Sequence, residues 1–380
     1  MVAVVSPTIS LILEDLALTS FHEGLIGLAA PAVYAFMGVL APTLGRRYGL
    51  EAMMLVCLGV SAFGEIGRSL AQTPIGFVVW TIPALAGAGI GNVLIPPLIK
   101  KYFPDRVPIV TSIYTVFIIV STAIPPLFIL SLARSTGWRF SVGIWAGFGI
   151  MGLIPWVFVL LSMQGTGQRL TAIKRRLNPR TYVEKPPRLD TPLWKSKVAW
   201  SITVIFAVNS LIAYTMFAWL PHVLTGAGIS VSDAAMYLAV FALGSLPGAF
   251  LTPILTARLK HVEILPIIFS VAYAISLTAL AIDPTFLTIV WILLSRIGDC
   301  FFPYSITMIN MRTTTTRGSI AMSGFAQSLG YTLAIVGPYG FGVLHTVSGN
   351  WHVPMFAVVA VLPLQFIGGW VLAKSKPAEV

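Results

Sequence analysis

Charge is what this sequence has least of. Asp, Glu, Lys and Arg make up 10% of its 380 residues, against about 25% in a soluble domain. So few charges cannot coat a water-facing globule in which 57% of residues are hydrophobic, and the surface must face hydrocarbon. Cysteine is nearly absent as well. Cys57 and Cys300 both lie inside apolar runs, where a thiol behaves as a small hydrophobe, and they carry no information on compartment or redox state. The five histidines, at 22, 222, 261, 345 and 352, stand near the ends of apolar runs without metal-ligand spacing. There is no P-loop, HExxH, CxxC or GxSxG, so neither an enzyme nor a bound cofactor or metal is expected. Acidic residues number 13 against 24 basic ones. That surplus would suggest nucleic acid only on the face of a folded soluble domain, and here the basic residues sit between apolar runs, which excludes it. Met1 to Leu13 lacks the basic start and small-residue cleavage site of a signal peptide and reads as part of a retained helix.

What is present is a series of apolar runs long enough to cross a bilayer as helices, which takes about 20 residues each. They lie near 1–18, 22–44, 52–71, 74–99, 108–132, 139–162, 198–220, 232–257, 262–282, 285–311, 319–344 and 352–373, eleven full spans and a short first one. The runs lack the two-residue alternation of a membrane barrel. With the N-terminus inside, 20 of the 24 Lys and Arg fall on the cytoplasmic side, among them Arg46, Arg47, Lys100, Lys101, Arg312 and Lys374. The positive-inside rule then predicts both termini in the cytoplasm and a multi-pass protein of the cell membrane.

One long polar stretch, 164–197, interrupts the apolar runs, and its four prolines break any continuous helix. It divides the chain into a six-helix half at 1–163, a cytoplasmic linker, and a second six-helix half at 198–380. The halves resemble each other. Leu40-Ala-Pro42-Thr-Leu44 with Arg46 and Glu51 recurs as Leu251-Thr-Pro253-Ile-Leu255 with Arg258 and Glu263. Arg106, Ser112, Tyr114, Pro126 and Trp138 likewise match Arg317, Ser323, Phe325, Pro338 and Trp351, every pair displaced by 211 to 213 residues. Two parallel six-helix repeats in an all-α membrane protein are the architecture of the major facilitator fold. Without a nucleotide site, such a protein draws on solute or ion gradients.

Ionisable groups inside spans are the first candidates for function, because a charge at the bilayer centre costs about 2.5 to 3.5 kcal/mol even on an insertion scale. Arg296 and Asp299, three apart in the tenth span, share a helix face and can neutralise each other. Glu65 and Arg68 repeat that spacing nearer the outer end of the third. Uncharged candidates for contact with a solute are Asn92, Asn209, Tyr214, Gln327 and Tyr331, with helix-to-helix hydrogen bonding as the plainer reading of each. Arg296 is expected to hold an anionic or electron-rich solute, and Asp299 to be either its partner or a proton site.

Longer motifs carry a resemblance. Gly89-Ile-Gly-Asn-Val-Leu-Ile-Pro-Pro-Leu-Ile-Lys-Lys-Tyr-Phe-Pro-Asp-Arg106, Trp219-Leu-Pro221 and Met322-Ser-Gly-Phe-Ala-Gln-Ser-Leu-Gly-Tyr331 followed by Gly337-Pro338 resemble the cyanate/nitroimidazole (CynX/NimT) transporters of the major facilitator superfamily. The resemblance implies a secondary transporter of a small polar or anionic organic solute, working by alternating access as a monomer in the lipid bilayer, with protons as a candidate coupling ion. It also implies that Arg46 and Arg47, in the Arg46-Arg47-Tyr-Gly49 loop, gate the cytoplasmic side. Family members usually begin the first helix several residues earlier, so its start is expected to be missing from this numbering. They also tend to carry small or amide residues where this chain has Arg296 and Asp299. The competing readings are a transport-inactive sensor or scaffold and a multidrug-type efflux carrier. A linker this short argues against a sensor output domain, and the lack of a pore loop or charged ring argues against a channel.

Overall fold

The computed structural model describes residues 8–18, 20–165 and 192–375. Twelve helical spans follow one another: α1 (Ile9–Leu16), α2 (Ser20–Tyr48), α3 (Leu50–Ser69), α4 (Pro74–Tyr102), α5 (Val107–Thr136), α6 (Trp138–Gly143 and Ala146–Gly165), α7 (Lys197–Gly226), α8 (Val231–Leu243 and Leu246–Arg258), α9 (Ile264–Ile282), α10 (Thr288–Gly298 and Phe301–Met311), α11 (Thr316–Ala334 and Val336–Ser348) and α12 (His352–Ala360 and Leu362–Lys374). No strand occurs among the described residues. Eleven spans, α2 to α12, are long and apolar enough to cross a membrane, and α1 is short. Of the expected linker, residues 166–191 lie outside the described residues, as do both chain ends.

Local chemistry starts and stops these helices. Thr73, Ser196, Ser230 and Thr315 each accept a hydrogen bond from the backbone N–H three residues on, capping α4, α7, α8 and α11. Single glycines join α2 to α3 and α5 to α6, at Gly49 (φ +92°) and Gly137 (φ +88°), backbone conformations that a side chain would strain. Four of the interrupted helices break just before a proline: α8 ahead of Pro247, α10 ahead of Pro303, α11 ahead of Pro338 and α12 ahead of Pro363. A proline removes the N–H that would bond four residues back, and its ring pushes that carbonyl aside. In α10 the residue deprived in this way is Asp299, whose carbonyl instead accepts from Phe302 N at 2.9 Å.

Basic residues gather at one end of the bundle, in the last turns of α2, α4, α8 and α12 and at the C-cap of α10. From mid-depth to this basic end the halves are joined, α5 against α8 and α11 against α2 and α4. Ser112 Oγ donates to Phe250 O (2.7 Å) and Thr115 Oγ1 to Ala249 O (2.9 Å); on the other side of the seam, Ser323 Oγ donates to Val93 O (2.8 Å). Ser112 and Ser323 are a pair from the sequence repeat, each bonding a main-chain carbonyl of the opposite half. Helices α2 and α11 cross closely enough that a Cβ on Gly38 would lie 2.6 Å from the Ser328 backbone. In lipid this contact rests on dispersion and hydrogen bonds, since hydrocarbon outside is as apolar as the seam. Thr115 is buried against α8, whereas Thr122, two turns on along the same face of α5, is exposed: the halves diverge away from the basic end.

Candidate functional site

The structure sorts the residues singled out from sequence into separate places. Asn92 (α4), Gln327 and Tyr331 (α11) and Tyr214 (α7) meet at mid-depth, where the seam between the halves opens. Gln327 Nε2 donates across the seam to Asn92 O (3.1 Å) and along its own helix to Ser323 Oγ (2.9 Å). Tyr331 stands edge-on to Phe206 at 5.0 Å and lies 6.4 Å from the Tyr214 ring. Two tyrosines that the polar-residue reading passed over complete the group. Tyr34 (α2) packs edge-on against Tyr331 at 5.3 Å, and Tyr114 (α5) donates to Asn92 Oδ1 at 3.2 Å. Tyr34 sits here because Gly89 leaves room: a Cβ at that position would lie 3.1 Å from the ring. The neighbouring glycines, Gly87 and Gly91, admit Cys57 and Ser61 of α3. Four phenols and two amides from both halves thus line one level, with no formal charge among them.

Arg296, Asp299 and Asn209 form a second cluster, inside the C-terminal half. Arg296 Nη1 pairs with Asp299 Oδ2 at 3.3 Å, and its guanidinium carbon lies 3.4 Å from the centre of the Phe241 ring (α8). Asn209 Nδ2 donates to Asp299 Oδ1 at 3.1 Å, while Tyr273 Oη (α9) reaches the same carboxylate oxygen at 3.4 Å and Asn209 Oδ1 at 3.3 Å. Gln365 Nε2 (α12) closes the group at 3.5 Å from Asn209 Oδ1. The guanidinium is 3% exposed, yet its Nε and Nη2 have no hydrogen-bond partner among the described residues. Those two atoms form the edge that grips a pair of oxygens. Phe206 and Asn209, three apart on α7 and so neighbours on its surface, make the two clusters adjacent along that helix.

The remaining candidates stand apart from both. Glu65 and Arg68 form an ion pair, each 1% exposed, within the N-terminal half, with Arg68 5.8 Å from the Phe77 ring. Arg46 and Arg47 are exposed at the basic end, where among the described residues Arg46 reaches Thr43 Oγ1 (3.5 Å) and Arg47 lies over Tyr48. Neither makes a hydrogen bond to the other half among the described residues. Tyr273, Gln365 and Phe241 are the partners that sequence reasoning missed. Gln365, an amide in an otherwise apolar run, left a signal; Tyr273 and Phe241 left none, since a single ring is ordinary in a membrane helix.

Residues 1–280 match the family described as Major Facilitator Superfamily. The chain belongs to that superfamily. It is 28% identical over 380 residues to the 2-nitroimidazole transporter of Escherichia coli (strain K12), covering 98% of this chain and 91% of that one. It is 23% identical to the cyanate transport protein CynX of the same organism, covering 83% of this chain and 81% of that one. Its fold superposes on a solved structure of the proton:xylose symporter XylE bound to 6-bromo-6-deoxy-D-glucose with a TM-score of 0.79, at 14% identity, over 100% of this chain and 94% of the other. The resemblance drawn from the α4 and α11 motifs is therefore shown, and so is the major facilitator fold. The protein is a multi-pass membrane protein of a transporter family. The tyrosine–amide group draws its side chains from helices on both sides of the linker, α2, α4 and α5 before it and α7 and α11 after it.

Proposed function

We propose that the protein is a secondary active carrier of a small polar or anionic organic solute, moved by alternating access, with its basic end in the cytoplasm of the cell. The observation that carries this reading is the convergence of Asn92, Gln327, Tyr331, Tyr214, Tyr34 and Tyr114 from both halves at the level where their seam opens. Phenol and amide groups offer ring faces and hydrogen bonds without a fixed charge, which suits a flat or linear solute rich in π electrons. The substrates named for the relatives, 2-nitroimidazole and cyanate, are of this kind. Counterflow of labelled 2-nitroimidazole or cyanate in proteoliposomes tests it. The expected result is trans-stimulated exchange, with Tyr331→Ala or Gln327→Ala raising the half-saturating concentration by about tenfold, the loss of one or two contacts of ordinary strength. A sensor or scaffold would exchange neither solute, and a multidrug-type carrier would exchange unrelated apolar compounds equally well.

The unpaired Nε–Nη2 edge of Arg296 favours a second reading of solute contact. An oxygen pair on the solute would dock on that edge, with Asp299 as counter-charge or proton site. Arg296→Gln then weakens exchange. If Asp299 carries the coupling proton, Asp299→Asn abolishes uphill accumulation while sparing counterflow; if it is only a partner, accumulation survives with altered affinity. Exchange by Arg296→Gln at parental affinity would make the pair a structural one.

A further inference from the structure

We infer that Lys100 is the residue that latches the two halves together at the basic end and so sets the balance between the carrier's open states. The inference rests on the alternating-access reading but on none of the solute-site residues. Lys100 stands in the last turn of α4, and its ammonium crosses to the C-terminus of α10. There it donates to Asn310 O (2.8 Å), to Thr313 Oγ1 (2.9 Å) and to Thr313 O. An ammonium has three protons, and all three are placed.

The receiving end is built for a cation. The last carbonyls of a helix have no partner within it and carry the negative end of its dipole. The acceptors are also held in place: Thr313 Oγ1 donates back to Ile309 O at 2.8 Å, and Asn310 Oδ1 accepts from Ser319 Oγ (α11) at 2.7 Å. Lys100 therefore binds the C-terminal end of α10, where Asn310 is in turn tied to α11 through Ser319.

Its neighbours do other work. Lys101 pairs with Glu51 inside its own half, where Tyr102 Oη also donates to the same carboxylate at 2.6 Å. Arg312, offset from Lys100 by the repeat distance, caps the C-terminus of α12 through Ala373 O at 3.0 Å, within the C-terminal half. The same device, a basic side chain on a helix C-terminus, thus holds one half together in the second repeat and holds the two halves together in the first. Among the described residues, no other lysine or arginine makes a hydrogen bond across the seam. When the basic end opens, Lys100 must release three acceptors and regain water.

The test needs no solute. In a background with Cys57 and Cys300 replaced, Ser323→Cys puts a thiol in the closed seam opposite Val93 O, and its labelling by a thiol reagent supplied from the basic side reports opening. Lys100→Met is expected to raise the labelling rate about tenfold, the equivalent of one charge-assisted hydrogen bond. Thr313→Val, which removes one of the three acceptors, should raise it less, and Lys100→Arg should restore most of the parental rate. Parental labelling in Lys100→Met, in protein that unfolds at the parental temperature, would overturn the assignment. If that variant does not insert, parental labelling in Thr313→Val overturns it equally. Faster labelling in a protein that exchanges no solute upholds the latch and counts only against the solute reading.

Discussion

At the scale of single residues, the two buried ion pairs differ in what surrounds them. Asp299 is shared among Arg296, Asn209 and Tyr273, so its charge is spread over neighbours from α7 and α9. Glu65 and Arg68 have chiefly each other: Glu65 Oε1 and Arg68 Nε are buried without hydrogen-bond partners among the described residues. Taking one member from such a pair strands a charge in a medium that cannot solvate it. Arg68→Met is expected to destabilise the protein by about 3 kcal/mol, and adding Glu65→Gln to recover most of that, because the double change strands nothing. Thermal unfolding of the purified variants checks the order. A double variant no more stable than the single one would mean that the pair does more than neutralise itself.

At the scale of elements, the crossing of α2 and α11 depends on the absence of side chains at two points. A Cβ on Gly324 would lie 2.2 Å from Pro42 Cγ and 3.3 Å from Pro42 Cβ. That second distance is close to the roughly 3.5 to 4.5 Å between the β-carbons of a disulfide. Cysteines at both positions, Pro42→Cys with Gly324→Cys, should therefore oxidise readily and pin the basic end shut. Counterflow is expected to stop on oxidation and return on reduction. Activity that survives quantitative cross-linking would show that this crossing does not part during the cycle. Proline acts at the same scale: Pro303 breaks α10 at Asp299 and thereby sets where that carboxylate stands along its helix.

At the scale of the whole molecule, the two repeats meet across a seam with paired serines on either side, Ser112 and Ser323, each bonded to a carbonyl of the other half. Which end faces the cytoplasm is a separate matter, decided by basic charge during insertion. A cysteine at Thr181, within the linker between the halves, is expected to react with an impermeant reagent only in opened or inverted membranes. Labelling of intact cells at that position would reverse the orientation.

The spans, the repeat and the family resemblance were legible in the sequence by itself: the bilayer imposes the length of each apolar run directly, and the 211 to 213 residue offset and the motifs around Gly89–Arg106 and Met322–Tyr331 are read along the chain. Much of the candidate site was not. Asn92, Gln327 and Tyr331 were visible as polar residues in apolar runs, but nothing in the chain says that Tyr34 and Tyr114 join them or that Asn209 turns instead toward Asp299. In the sequence Lys100 is one basic residue among several at a helix end, and nothing there says that α10 ends beside it. Those pairings depend on helix rotation and on which spans cross, and these are set by packing between helices far apart in sequence. Hydropathy is the same whichever neighbour a side chain meets, so only the tertiary structure decides it.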